Sequence, residues 1–493
     1  MSTSFSIRSF YQRIAGNVIY LFVGIGITSI TIFASNIILA RFLGIKIFGA
    51  LTFLLGMINI ITMMVDLGLF TAATKRIAEE LGRSQSGILG TVITSFQRTT
   101  WLAGMVGSLV CGWLVVKVPF PPLEKLHIAG IWMVGLWVLV PTVIKSFKAI
   151  FNGFEDMRYT LVSHLLLEPL KFIGLILLLL TGSLTLPVIL WSWTLIYLLS
   201  FAAILLLGRR FLAKRVKTFH KVWQWSDIVD RLRESFVYFL PYVGVNIMPS
   251  LVIVILGLVS TELEIAWFAS SASLVSISFL VLKPMAQALL PAFTHRYARS
   301  GQVIMPTEGM QLLRMLALFN VCVLLGFLWL GPTIMRWTYG IEFGPAVTVL
   351  VILAAATFLE TFRMVADPLL NSINAASKVS RIELVRYGIM LPAVIALGWS
   401  QGAQGAACGV LIASLIGSIL RLNAIQHRLK ILEVRFVLGF VGWVGAILTS
   451  WLLDLPAWVI APPAVLLGWG LGIYKPGDLQ MAVRMMRQMV HLR

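Results

Sequence analysis

The chain has 493 residues, of which 59% are hydrophobic and only 12% are charged. Ordinary soluble domains are about 25% charged, so this composition excludes a soluble monomer. The net charge of +19 would suggest nucleic-acid binding in a soluble protein, but the positions of the basic residues follow a different rule.

Apolar segments of about 20 residues recur from end to end, and each is long enough to cross a lipid bilayer as an α-helix. Lipid offers the backbone no hydrogen-bond partner, which favours helices over irregular spans. We count fourteen such segments and interpret the first, which starts near Gly16, as a membrane helix rather than a cleavable signal peptide. The predicted fold is an all-α polytopic membrane protein with about 14 transmembrane helices.

Basic residues concentrate in every second connection between these segments. With the N-terminus inside, the inner connections hold 25 Lys and Arg residues and the outer ones hold five. This asymmetry follows the positive-inside rule and predicts a multi-pass protein of the plasma (inner) membrane with cytoplasmic N- and C-termini. It also explains most of the net charge without nucleic acid. The three cysteines lie in apolar segments without ligand spacing, and we expect no metal and no cofactor.

The sequence also repeats itself at an offset of about 219 residues, which indicates a duplicated unit of six helices. An even number of helices gives both units the same orientation in the membrane. We therefore predict two six-helix bundles related by a pseudo-twofold axis along the membrane normal, followed by two extra helices. The matching positions are Gly82, Gly107, Gly112 and Asn152 with Gly301, Gly326, Gly331 and Asn371.

The duplication and the charge runs together predict the domain organisation. The predicted domains are an N-terminal six-helix bundle (1–208), a basic cytoplasmic linker (209–233), a C-terminal six-helix bundle (234–430), two additional transmembrane helices (431–475) and an amphipathic basic cytoplasmic tail (476–493).

Nine basic residues fall inside predicted membrane helices, where each costs roughly 2.5–3.5 kcal/mol. Those near helix ends, such as Lys283 and Arg421, can extend to the lipid headgroups. Lys145 and Lys148 lie deeper, and because they are three residues apart they share one face of their helix. Glu360 and Arg363 repeat this spacing in the corresponding helix of the second half.

Such charged faces have two possible destinations: a dry network of internal ion pairs, or a water-filled cavity between the two halves. We favour the cavity, because the bases outnumber the acids there and an unpaired buried charge is costly. Excess positive charge in a cavity indicates an anionic cargo. The predicted substrate-binding residues are Lys145, Lys148, Arg98, Arg314, Arg363, Lys171, Arg386 and Arg41.

The acidic and histidine side chains among these helices allow two roles, ion coupling or salt-bridge partnership, and we favour the salt bridges. No nucleophile–base pair or HExxH motif is visible. No Walker A sequence is present either, which excludes ATP hydrolysis by this chain. The residues concerned are Glu168, Glu360, Asp367, His164 and Asp66.

Residues 36–79, NIILARFLGIKIFGALTFLLGMINIITMMVDLGLFTAATKRIAE, resemble the opening of polysaccharide (O-antigen-type) flippases. These belong to the multidrug, oligosaccharidyl-lipid and polysaccharide exporter superfamily. FNGFEDMR at 151–158 and the six-plus-six duplication are similar to them as well. The resemblance implies a V-shaped pair of bundles around a central cationic cavity. It implies that a polyprenyl-pyrophosphate-linked oligosaccharide of the undecaprenyl type moves from the inner to the outer leaflet by alternating access, for polysaccharide biosynthesis.

The partners implied by the resemblance are this lipid-linked oligosaccharide, membrane lipids and other polysaccharide-assembly proteins. Fourteen helices are also typical of the branch that flips the peptidoglycan precursor, but that branch's charged motif in the first helix has no clear match here.

Two other functions compete with the flippase. A multidrug exporter of the same superfamily usually carries organic cations, which a basic cavity disfavours. A membrane glycan ligase or polymerase usually needs a large outer loop with acidic, His or Arg groups. The longest outer loop here, KVPFPPLEKLH at 117–127, has one acid and one His. We therefore predict a transporter rather than an enzyme.

Overall fold

Helices make up the described part of the chain, and no strand occurs within it. A computed structural model of the protein thus confirms the predicted all-α fold class. The predicted helices at 431–475, the predicted tail at 476–493 and Lys283 lie outside the described residues. The structure describes residues 7–82, 86–117, 127–216, 225–279, 293, 306–373 and 375–429.

The chain divides into two compact units, Met1–Gly257 and Leu258–Arg493. The predicted bundle boundaries at 208 and 234 remain predictions. The helices of the first unit are α1 (Ile7–Leu43), α2 (Ile45–Asp66), α3 (Leu69–Gly82), α4 (Ser86–Lys117), α5 (His127–Gly153), α6 (Met157–Leu165), α7 (Glu168–Leu180), α8 (Leu186–Arg215), α9 (Trp225–Asn246) and α10 (Met248–Val259), the last of which crosses the boundary. The second unit contains α11 (Glu262–Ser276), α12 (Pro306–Thr338), a 3-10 turn (Ile341–Phe343), α13 (Ala346–Ser372) and α14 (Ala376–Leu429).

Seven helical stretches among the described residues are long and apolar enough to cross a membrane. They confirm a multi-pass membrane protein, while the total of about 14 spans stays a prediction. The seven stretches are Tyr20–Leu43, Ile45–Leu81, Gly130–Gly153, Met157–Leu180, Leu186–Arg215, Ala346–Ser372 and Ser377–His427.

The predicted linker at 209–233 is helical at both of its ends, because α8 continues to Arg215 and α9 begins at Trp225. Helix α9 packs against α3 and α4. The Lys75 ammonium donates a hydrogen bond to the Tyr238 hydroxyl at 3.1 Å. These contacts explain why the first compact unit extends beyond the linker.

Helix α5 lies at the centre of the first unit. It packs against α2, α3, α4, α6 and α8. Val138, Val140 and Phe151 on this helix are completely buried. Most of the surface of α5 therefore faces other helices, and its polar side chains lie among them.

A tight turn joins α2 to α3 and sets the position of Asp66. Leu67 and Gly68 both have positive φ angles, 43° and 79°. A Cβ atom at Gly68 would lie 2.5 Å from the backbone oxygen of Ser235 on α9, so the close approach of the two helices requires glycine. Beyond the turn, the Phe70 N–H donates a hydrogen bond to Asp66 Oδ1 at 3.1 Å. Asp66 thereby caps the start of α3.

The membrane span Met157–Leu180 is discontinuous, because α6 ends at Leu165 and α7 begins at Glu168. Pro169 stands in the first turn of α7, where its missing N–H costs nothing. The Ser200 hydroxyl of α8 donates a hydrogen bond to the carbonyl oxygen of Leu166, which the break leaves without a helical partner. A side chain of the same unit therefore satisfies a backbone carbonyl that the break exposes.

Helix α14 folds back on itself at Gly402, whose φ of 59° lies in the left-handed region. The Ala403 N–H at this turn donates a hydrogen bond of 2.6 Å to Glu264 Oε2 on α11. The two arms of α14 lie close together, since a Cβ atom at Gly409 would be 2.8 Å from the Val394 nitrogen. The same helix thus presents two antiparallel arms, both of which pack beside α13.

Candidate functional site

Two lysines in the first unit lie on one face of α5. The Lys145 ammonium is 4.0 Å from Asp66 Oδ2, and its side chain is 25% exposed. The Lys148 ammonium is 3.4 Å from His164 Nδ1 on α6, and its side chain is half-buried. The predicted pairing of positions three residues apart therefore produces two adjacent cationic groups within a membrane span.

Asp66 and Lys145 line a crevice formed by α3, α4 and α5. Phe70, Phe96 and Gln97 contribute to the same crevice. Asp66 is only 2% exposed, and its Oδ2 atom makes no hydrogen bond to the described residues. A buried carboxylate and a partly exposed ammonium thus line the same crevice.

His164 connects the lysine face to the break between α6 and α7. It approaches α1 closely, because a Cβ atom at Gly24 would lie 3.2 Å from His164 Cδ2. The hydroxyl of Thr28, also on α1, donates a hydrogen bond to the His164 carbonyl oxygen at 3.4 Å. To accept a hydrogen bond from the Lys148 ammonium, the imidazole Nδ1 has to be unprotonated, so a neutral ring with its proton on Nε2 fits this contact.

Lys171 of α7 is enclosed rather than open. Its ammonium is 2.7 Å from Glu168 Oε1 and lies over the rings of Trp193, at 4.8 Å, and Tyr197, at 5.7 Å. Trp137 of α5 stacks on Tyr197 and completes an aromatic wall. These contacts stabilise a cation that is only 6% exposed.

The other predicted cations of the site have different surroundings. Arg98 is half-buried on α4, and Arg41 is exposed in the last turn of α1. Arg314 on α12 is 5% exposed. Nowhere in the described ranges do three or more His, Cys, Asp or Glu side chains form a group that could hold a metal ion.

The second unit brings six charged side chains together between α13 and the two arms of α14. Three are basic and three are acidic, so the cluster is neutral as a whole. Each of the six is at most 20% exposed. We call this set the charge cluster; its members are Glu360, Arg363, Asp367, Glu383, Arg386 and Arg421.

Ion pairs link the three helical segments of the charge cluster. Within α13, the Arg363 Nε atom is 2.9 Å from Glu360 Oε2. Arg386 on the first arm of α14 pairs with Glu360 and, at 3.2 Å, with Glu383. From the second arm, Arg421 reaches Asp367 at 2.9 Å and also pairs with Glu383. These contacts match the internally paired network, one of the two arrangements that the sequence left open.

The sequence allowed Arg421 to extend to the lipid headgroups, whereas the structure shows it 1% exposed at the centre of these pairs. The absence of a side chain at Gly417 leaves space for both arginines. A Cβ atom there would lie 3.0 Å from Arg421 Nη1 and 2.8 Å from Arg386 Cδ. The sequence does contain a pattern that places Arg421 on a closely packed helix face. Small residues recur there every four positions and lead up to the arginine: Gly405, Gly409, Ala413, Gly417 and Arg421.

The aromatic wall around Lys171 was not predicted either. Trp193 and Tyr197 are four residues apart, which places them on one face of α8. The contribution of Trp137 depends on how α5 packs against α8, and this packing has no counterpart in a local sequence pattern.

Comparisons with known proteins agree with this architecture. Residues 14–296 match the profile of a family described as polysaccharide biosynthesis protein. A comparison with curated protein sequences gives no match.

Solved structures of transporters share the fold. A lipid II flippase, MurJ, in an inward closed conformation has a TM-score of 0.65 at 12% identity, over 95% of this chain and 99% of that chain. An inward-facing multidrug resistance MATE family transporter of the MOP superfamily has a TM-score of 0.62 at 14% identity, over 82% and 94%. A MATE transporter from Vibrio cholerae has a TM-score of 0.58 at 15% identity, over 85% and 98%.

At these identities the solved structures show a common fold and no more, whereas the profile match covers more than half of the chain. The chain therefore belongs to the polysaccharide biosynthesis protein family, and it has the polytopic helical fold of MOP superfamily transporters.

Proposed function

We propose that the protein is a flippase that moves a polyprenyl-pyrophosphate-linked oligosaccharide from the inner to the outer leaflet of the plasma membrane. The observation that carries this proposal is the pair of lysines on α5. Lys145 and Lys148 place two ammonium groups on one face of a membrane-spanning helix, and their charge exceeds that of the carboxylate of Asp66, which pairs with Lys145.

A pyrophosphate is the cargo chemistry that suits this pair. Each phosphate carries negative charge and several acceptor oxygens, and ammonium groups bind such oxygens through charge-assisted hydrogen bonds. The family's description as polysaccharide biosynthesis proteins supports a glycan as the attached group. A protein of the same fold is named a lipid II flippase, which supports a lipid-linked cargo.

The other charged residues take different roles in this proposal. Arg98, Arg314 and Arg41 provide further contacts for the cargo. Lys171 holds α7 against α8 through the rings of Trp193 and Tyr197. Arg363 and Arg386 hold α13 against α14 through ion pairs with Glu383 and Glu360. Glu168 is the salt-bridge partner of Lys171, Glu360 pairs with Arg363 and Arg386, and Asp367 pairs with Arg421. The headgroup crosses by alternating access while the polyprenyl tail stays in the bilayer, and no covalent chemistry is required of the chain.

The charge of the cargo tests this proposal against a multidrug exporter. Purified protein in nanodiscs is titrated with undecaprenyl pyrophosphate and, separately, with the cationic dye ethidium. We expect the pyrophosphate lipid to bind and the dye not to compete with it. Lys148→Ala should weaken lipid binding about tenfold, or ~1.4 kcal/mol, because one charge-assisted contact is lost.

Lys46→Ala serves as the matched control, since Lys46 is exposed at the start of α2. Binding by this variant should equal that of the wild type. Binding of ethidium without binding of the pyrophosphate lipid would favour the exporter and reject the flippase.

A further inference from the structure

The carboxylate of Asp66 faces the ammonium group of Lys145 without a hydrogen bond between them. The Oδ2–Nζ distance of 4.0 Å is too long for a hydrogen bond but short enough for strong attraction in a region of low dielectric. The other carboxylate oxygen, Oδ1, is held by the Phe70 N–H. Asp66 is therefore fixed in place at the α2–α3 turn, while the Lys145 side chain is long and has several rotatable bonds.

Access to the two charges is unequal. Both residues line the crevice, but Lys145 keeps 25% of its side-chain surface exposed, whereas Asp66 is only 2% exposed. An anion that approaches from outside therefore meets the more exposed ammonium before the buried carboxylate. Asp66 then remains as a buried negative charge next to the bound anion.

We infer that Asp66 is an internal competitor for Lys145, which weakens cargo binding and thereby allows the cargo to be released. This inference rests on the proposed function. When a pyrophosphate binds Lys145, it opposes the existing attraction between Lys145 and Asp66, and it is repelled by the carboxylate. A transporter has to bind its cargo on one side and release it on the other, so a fixed countercharge in the site favours turnover over affinity.

Asp66→Asn isolates the charge from the structural role of the residue. The amide oxygen of Asn can still accept the hydrogen bond from the Phe70 N–H, so the start of α3 is kept. Binding is measured by titration of undecaprenyl pyrophosphate into nanodiscs, and movement by its translocation rate in proteoliposomes. We expect Asp66→Asn to bind the lipid about tenfold more tightly, which is ~1.4 kcal/mol, and to translocate it more slowly. A purely structural role for Asp66 would not produce tighter binding.

A double-mutant cycle tests whether Lys145 transmits the effect. In a Lys145→Gln background, Asp66→Asn should no longer tighten binding through the ammonium, so the gain should fall to less than threefold. Asp66→Ser, which also keeps an acceptor for Phe70, provides a second neutral variant if Asn does not fold.

Each outcome decides the matter. Unchanged or weaker binding in folded Asp66→Asn or Asp66→Ser would overturn the inference, as would an undiminished gain in the Lys145→Gln background. If the wild type binds the lipid and Lys148→Ala weakens it while Asp66→Asn has no effect, the proposed function stands and only this inference fails. Absence of lipid binding by the wild type would remove both.

Discussion

Lys171 shows how this protein accommodates a cation inside a membrane span. Glu168 provides the countercharge three residues earlier on α7, and Trp193 and Tyr197 offer the negative faces of their rings. Each of these contacts compensates part of the cost of removing the ammonium from water. The arrangement ties α7 to α8, and through Trp137 to α5.

Neutralising Glu168 should therefore cost more than the loss of an exposed carboxylate. In Glu168→Gln the Lys171 ammonium stays buried without its ion-pair partner, and the free energy of unfolding should fall by about 3 kcal/mol. Thermal unfolding in detergent measures this change. Glu342→Gln, at an exposed position, should leave the midpoint unchanged. Equal midpoints for both variants would show that the ion pair contributes nothing to stability.

Spacing in the sequence was sufficient to place Lys145 and Lys148 on one helix face, because α-helical geometry alone determines it. The partners of these residues could not be predicted in the same way. Asp66 reaches Lys145 only because the turn at Leu67 and Gly68 ends α2 beside α5, and His164 reaches Lys148 because α6 ends there. Contacts between distant segments depend on packing that local patterns do not encode.

Helix α14 illustrates the same limit at the level of an element. Its two arms follow from two apolar stretches, but the fold-back depends on the left-handed Gly402 and on Glu264 of α11, which is 139 residues away from Ala403 along the chain. Small residues every four positions let the arms approach each other. That approach brings Arg386 and Arg421 to the acids of α13 and creates the charge cluster.

Because the charge cluster is neutral, removing one charge should be more harmful than removing a pair. Arg421→Met leaves Asp367 without the cation that contacts it at 2.9 Å and should destabilise the protein strongly. In Arg421→Met/Asp367→Asn the uncompensated carboxylate is also gone. The double variant should be less destabilised than the sum of the two single variants by about 1–3 kcal/mol.

Thermal unfolding of the two single variants and the double variant measures this coupling. Strictly additive effects would mean that Arg421 and Asp367 do not interact energetically. Titration of the double variant with undecaprenyl pyrophosphate adds a second comparison. If the cluster only holds helices together, this variant should still bind the lipid, because the cluster remains neutral.

Composition and hydropathy predict the class of the whole molecule with little ambiguity. An all-α multi-pass membrane protein follows from apolar segments of about 20 residues, and the described helices agree. The orientation, with cytoplasmic termini, rests on the 25-to-5 distribution of basic residues and remains part of the proposal. The relation of the two units during transport is likewise proposed, because alternating access involves more than one conformation.

Transbilayer movement of the cargo tests the central claim most directly. The wild type and a Lys145→Gln/Lys148→Gln variant are reconstituted into proteoliposomes of defined orientation, with undecaprenyl-pyrophosphate-linked oligosaccharide in the leaflet corresponding to the cytoplasmic side. The rate at which the glycan becomes accessible on the other side is measured. We predict that the wild type moves the cargo, that Lys46→Ala matches it, and that the double variant loses at least nine-tenths of the rate while still reconstituting normally, which corresponds to about 1.4 kcal/mol or more. Equal rates in the wild type and the double variant would contradict the account.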